Sequence, residues 1–225
     1  MDAVVIAYAH AVRCRTAKHR WLVGVSVAFL LVASMMVDRE LALWCEALRD
    51  SMPPSVQTAV EWVTGAGDSM WWLGGSAIGF AIFALCHLHN RARVALALFA
   101  AVGLSGLAVI AMKPIIGRFR PKLLHEAGQY GFEFLRFTVG YDANSFPSGH
   151  ATTIAAACAV LWRVLPRWRV LWIALWLCTS ASRLLLGAHY LSDVIAGSAL
   201  GAGVGLLVLA TWEKRYPASA PTPLA

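Results

Sequence analysis

The sequence predicts an all-α integral membrane protein, a bundle of six transmembrane helices with short interfacial helices between them. Three observations lead there. Of 225 residues, 59% are hydrophobic and only 14% are charged, against roughly 45–50% and 25% in soluble domains. The apolar surplus is gathered into runs that approach the ~20 residues a helix needs to cross a bilayer core. Basic residues, finally, collect in alternate connections between those runs. Residues 1–225 read as a single membrane-embedded domain.

Residues 1–20 place Arg13, Arg15, Lys18 and Arg20 ahead of the first run, 21–37. That run is longer than the roughly 7–15 residues of a signal-peptide core and no small-x-small site follows, so it reads as an uncleaved span. Segment 38–69 is mostly acidic, with Asp38, Glu40, Glu46, Asp50, Glu61 and Asp68. Within it Leu41, Trp44, Cys45 and Leu48 recur at helical spacing and predict a short helix lying in the interface. Pro53-Pro54 ends that helix, and Val56, Ala59, Val60 and Val63 begin a second amphipathic piece.

The second span, 70–86, opens on Trp71-Trp72, an interfacial anchor. Arg91 and Arg93 mark the turn to the third span, 94–112. A long loop, 113–149, precedes the fourth span, which ends near residue 165. Arg163, Arg167 and Arg169 line a tight turn into the fifth, 170–186. The sixth opens near His189 and ends near residue 212. Gly197, Gly201 and Gly205 repeat every fourth residue in it, a spacing that fits close helix packing. The tail, 213–225, is rich in Pro and Ala and reads as flexible.

The formal charge of +7 forms no long basic tract, so it does not point to nucleic acid. Its placement is informative instead. The N-terminus, the 87–93 turn, the 163–169 turn and the C-terminus are basic and fall on one side, which the positive-inside rule makes cytoplasmic. Segments 38–69, 113–149 and 183–190 then face outward. The five cysteines (Cys14, Cys45, Cys86, Cys158, Cys178) are scattered without a CxxC pair and read as small apolar fillers.

Three outward-facing stretches carry polar chemistry at helix ends. Lys113 closes the third span, and Arg120-Pro121 follows after Gly117 permits a bend. A Lys and an Arg can neutralise two oxygens of a phosphate, the Arg in bidentate fashion. Next comes Pro147-Ser148-Gly149-His150, where Pro147 suits a first helical position. There Ser148 and Gly149 offer backbone N–H groups at the positive end of the helix dipole, a site suited to an oxyanion. Third, Arg183 lies near the end of an apolar span, where an unpaired charge is expensive.

His189 and Asp193 follow Arg183 and are four apart, so on a helix they share a face. A carboxylate that accepts from Nδ1–H leaves Nε2 with a free lone pair, which makes His189 a candidate nucleophile. His150 can then protonate a leaving alkoxide. Charge stabilisation, an in-line nucleophile and a proton donor are the parts that phosphoryl transfer needs. The expected site has no metal and no cofactor, since acidic or cysteine ligand clusters are missing.

Lys113-x6-Arg120-Pro121, Pro147-Ser148-Gly149-His150 and Ser182-Arg183-x5-His189-x3-Asp193 together resemble the three-part signature of the type 2 phosphatidic acid phosphatase superfamily. The match spans roughly 80 residues, in the right order and without departure at a signature position. The resemblance implies an all-helical bundle, lipid phosphate substrates and a phosphohistidine intermediate. It also implies roles: His189 as nucleophile, Asp193 as its orienting partner, His150 as general acid, and Lys113, Arg120, Ser148, Gly149 and Arg183 as phosphate ligands. The expected location is a bacterial-type inner (plasma) membrane, with both termini cytoplasmic and the site on the periplasmic or extracellular side. The substrate stays open among undecaprenyl diphosphate, phosphatidic acid, phosphatidylglycerol phosphate and the phosphates of lipid A. Segment 122–146, with Phe132, Phe134, Leu135 and Phe137, either shapes an entry or anchors the interface. A lipid phosphotransferase using the same phosphohistidine is the alternative to hydrolysis. An anion transporter fits less well, because the spans carry no mid-membrane charge.

Overall fold

The computed structural model describes residues 3–135 and 144–215, with side chains from Trp21 onward. Phe137 and the end of the tail lie outside the described residues. Among the described residues there are eight α-helices: α1 (Ala3–Ser51), α2 (Pro54–Gly65), α3 (Ser69–Leu85), α4 (His89–Ile116), α5 (Pro121–Ala127), α6 (Gly149–Val164), α7 (Arg169–Leu185) and α8 (Leu191–Arg215). A 3₁₀ turn, Pro166–Trp168, joins α6 to α7. Among the described residues the β structure is a single isolated bridge between Arg118 and Phe132. The all-α expectation therefore holds.

Two boundaries differ from expectation: α4 starts at His89, so Arg91 and Arg93 lie in its first turns and not in a connecting turn, and the first span runs on past residue 37. The first span and the expected interfacial helix carrying Leu41, Trp44, Cys45 and Leu48 are one continuous helix. No Pro or Gly falls between Gly24 and Pro53 to break it. The acidic residue that suggested a boundary, Asp38, is buried beside an arginine instead of solvated.

Residues 21–51 of α1, α4 and α8 are long and apolar enough to cross a membrane. The 16 or 17 residues of α3, α6 and α7 reach about 24–26 Å at 1.5 Å per residue, a little under a hydrocarbon core of about 30 Å. α6 is the central helix and packs chiefly against α8, then α4 and α7. Its lining is small: Ala151, Thr152, Ala155, Ala156 and Ala157 are all buried. Outward-facing Phe29, Met36, Leu107 and Val170 are broadly exposed, an apolar surface that needs lipid against it.

The α6–α8 contact is backbone to backbone. A Cβ on Gly197 would run into Ser148 O, one on Gly201 into Thr152 O, and one on Gly205 would lie 2.9 Å from Ala156 O. These glycines bring the start of α8 against the start of α6, and with them two halves of the polar site.

Gly201→Leu is expected to lower stability by about 1–3 kcal/mol or more through overpacking, read as a fall in melting temperature in detergent. Gly203→Leu, on a face with nothing within 4 Å, should leave the melt unchanged.

Candidate active site

The site is assembled at one end of the bundle from helix ends. α4 stops at Gly117, which is left-handed (φ 50°) and donates its N–H to Lys113 O at 2.9 Å. That conformation suits a residue without Cβ. The turn sends Arg118 and Arg120 back toward the bundle, both almost wholly buried. Pro121 opens α5 at its first position. Backbone bonds stitch the loop together, including Glu133 N to Gly117 O (2.6 Å) and Ser145 N to Arg118 O (2.9 Å).

The start of α6 differs in detail from expectation. Ser148 is the N-cap, its Oγ accepting from Ala151 N at 3.4 Å. Pro147 precedes the helix, after a cis Phe146–Pro147 bond, and does not occupy its first turn. The Ser148 N–H is also not available to a ligand, because it donates to the backbone oxygen of Asp193 at 3.0 Å. The expected anion site at this helix start is therefore left with the following amides, those of Gly149 and His150. Both residues are half-buried, whereas Ser148 is fully buried.

α7 ends at Leu185, and the chain turns through Gly187 (φ 61°). Ala188 N and His189 N both donate to Arg183 O, at 3.1 and 3.3 Å. This places His189, 3% exposed, just before α8. Its Nδ1 lies 3.6 Å from Asp193 Oδ2, beyond a formed hydrogen bond. Ser145 Oγ lies close to both, 3.4 Å from Nδ1 while donating to Oδ2 at 2.6 Å. The same Oδ2 accepts from Tyr190 N at 2.9 Å. Asp193 faces the imidazole as the spacing predicts, with Ser145 as an additional partner.

Burial lowers the His189 pKa from its ordinary value to about 3, Asp193 opposing the shift and Arg120 and Arg183 adding to it. The imidazole is therefore neutral near pH 7, with a lone pair on one nitrogen.

The expected phosphate ligands converge on the same end. Arg120 Nη1 donates to Ala188 O at 2.9 Å, fixing it against the His189 turn. Arg183 Nη1 donates to Thr64 Oγ1 at 2.8 Å. Lys113 is half-buried in the last turn of α4. The α2–α3 corner closes the side: a Cβ on Gly67 would lie 2.8 Å from His150 Cβ and 2.8 Å from Thr179 Cγ2. No sequence signal marked Ser145 or Thr64. A carboxylate such as Asp38, set against an apolar run, needs a partner, but nothing in the sequence names Arg118 as that partner.

A helical membrane bundle that gathers two histidines, a carboxylate and three cations at helix ends on one side fits a phosphoryl-handling membrane protein. A family model, the PAP2 superfamily, matches residues 94–217, and the chain belongs to that superfamily. It is 35% identical over 173 residues to a lipid A 1-phosphatase of Rhizobium etli, covering 72% of this chain and 74% of that one. A PAP2-type phosphatidylglycerolphosphate phosphatase from Bacillus subtilis has the same fold, with TM-score 0.63 at 21% identity over 87% of this chain and 98% of that one. Aquifex aeolicus LpxE superposes with TM-score 0.58 at 17% identity over 77% and 95% of the two chains. The protein is a bacterial membrane phosphatase acting on lipid phosphates.

Between a folded value of about 3 and an unfolded value of about 6.5, the unfolded chain takes up a proton that folded His189 refuses. Stability is therefore present above that window and falls as pH drops through it, by about 2 kcal/mol from pH 7 to pH 5 for this group alone. Melts of His189→Gln in detergent should show a correspondingly shallower loss over that range.

Proposed function

We propose that this enzyme hydrolyses a phosphomonoester or diphosphate head group of a membrane lipid through a phosphohistidine, at the outer face of the membrane and without a metal. The observation that carries this reading is the meeting of a buried neutral His189, its partner Asp193, the α6 start and three cations at one end of the bundle. The ends that meet are the C-termini of α4 and α7 and the N-termini of α6 and α8. The basic turns of segments 87–93 and 163–169 lie at their opposite ends, which supports an outward-facing site, six spans and cytoplasmic termini.

In the proposed sequence, His189 Nε2 attacks phosphorus and the P–O bond to the lipid breaks. His150 gives its proton to the departing oxygen. Arg120, Arg183 and Lys113, with the Gly149 and His150 amides, hold the equatorial oxygens as charge develops on them. His150, now neutral, takes a proton from water as it attacks the phosphoryl group, the P–N bond breaks and inorganic phosphate leaves. Asp193 stabilises the positive charge that His189 carries while phosphorylated. In this mechanism Lys113, Arg120 and Arg183 are the cations that carry the charge stabilisation, without a metal ion. The names of the similar proteins favour a lipid A 1-phosphate as substrate, ahead of prenyl diphosphates and glycerophospholipid phosphates.

The test is phosphate release by the detergent-purified protein from lipid A, phosphatidic acid, phosphatidylglycerol phosphate and undecaprenyl diphosphate, with EDTA present. Release that survives EDTA and is lost in His189→Ala is expected. Loss of phosphate from the donor only when an acceptor lipid is added, with the phosphate recovered on that acceptor, would replace hydrolysis by transfer.

The two histidines should also separate by leaving group. His150→Ala is expected to cost about 10²–10⁴-fold on an alkyl phosphate but under about tenfold on an aryl phosphate whose leaving group needs no proton. Equal losses on both would remove His150 from the acid role.

A further inference from the structure

Resting on the phosphohistidine reading, we propose that Asp38 of α1, acting through Arg118, is a positioning residue for the catalytic pair. Helix α1 is then part of the catalytic apparatus, although it lies outside the residues 94–217 that the family model matches.

Asp38, Arg118 and Asp193 are each no more than 1% exposed. Arg118 Nη1 lies 2.5 Å from Asp193 Oδ1 and 2.6 Å from Ser192 Oγ, and Nη2 lies 2.7 Å from Asp38 Oδ2. Asp38 Oδ1 accepts from Ser192 N at 3.0 Å, and its Oδ2 from Ser192 Oγ. The guanidinium is held between two rings, 4.3 Å from the centroid of Tyr190 and 4.8 Å from that of Phe132. One cation thus joins two carboxylates on different helices.

Such a triad is a poor device for stability, because burying each ion costs several kcal/mol of desolvation. Its geometry serves Asp193. With Oδ1 claimed by Arg118, Oδ2 is left to Ser145, Tyr190 N and the imidazole of His189. Asp38 neutralises the second half of the guanidinium and fixes its plane. Without Asp38 the fork can turn, and Asp193 can turn with it.

The experiment uses the full chain in detergent, with Asp38→Asn, Arg118→Gln and Arg118→Lys compared as folded fractions by size exclusion and circular dichroism. Arg118→Gln and Asp38→Asn are expected to lower kcat roughly 100-fold with little change in KM. Inhibition by inorganic phosphate should be retained, since Arg120, Arg183 and Lys113 are untouched. Arg118→Lys, which keeps the charge and loses the fork, should recover only part of kcat and carries the test if Arg118→Gln does not fold. NMR titration of ring-labelled His189 gives a readout that needs no substrate. In Arg118→Gln its titration should move to higher pH, because the Asp193 charge is no longer offset while Arg120 and Arg183, the other charges acting on the ring, are unchanged. Folded variants with wild-type kcat and an unmoved His189 titration would overturn the proposal. If the wild type released phosphate from no lipid, the hydrolase reading would fall while the titration still decided this one.

Discussion

A carboxylate with no exposed surface must have both oxygens satisfied, and the site depends on how Asp193 meets that requirement. One oxygen takes the guanidinium of Arg118; the other takes Ser145 Oγ and the Tyr190 amide while facing His189. Its backbone oxygen accepts from Ser148 N, so the start of α8 is tied to the start of α6. As an acidic residue in the first turn of α8, it also lies at the favourable end of the helix dipole. Through one residue, the loop before α6, the turn before α8, the 118–120 loop and α1 are held in a single arrangement.

Close packing makes that arrangement stiff. Gly197, Gly201 and Gly205 let α8 lie on the backbone of α6, so the start of α6 and the histidine turn cannot drift apart without breaking tight contacts. Donors fixed before the reaction need no reorganisation as charge develops, which is where electrostatic catalysis gains most. The field is also one-sided. Asp193 is engaged with Arg118, which leaves Lys113, Arg120 and Arg183 as surplus positive charge for the phosphate proposed to bind there.

Much of this was legible in the sequence because it follows from local spacing and from the cost of polar groups in an apolar chain. Apolar runs gave the helices, the four-residue interval pointed to His189 beside Asp193 although His189 sits in the turn before α8 and not on a shared helix face, and the glycine repeat anticipated the α6–α8 contact. What escaped depends on contacts distant in the chain. Asp38 and Arg118 are 80 positions apart, and no periodicity connects them. The acidic run after residue 37 looked like an interface boundary, yet α1 continues through it because Asp38 finds its partner inside the bundle. The backbone bond that removes the Ser148 N–H from ligand binding comes from Asp193, 45 residues on, and a capping motif read locally cannot show it.

The most direct measurement is rapid quench of the enzyme with a lipid carrying labelled phosphate, followed by peptide mapping of the trapped protein. Label should appear on the peptide containing His189, as a phosphoramidate stable to alkali and lost in acid. Turnover with no labelled enzyme at any quench time, or label on a different side chain, would contradict the assignment of His189 as nucleophile.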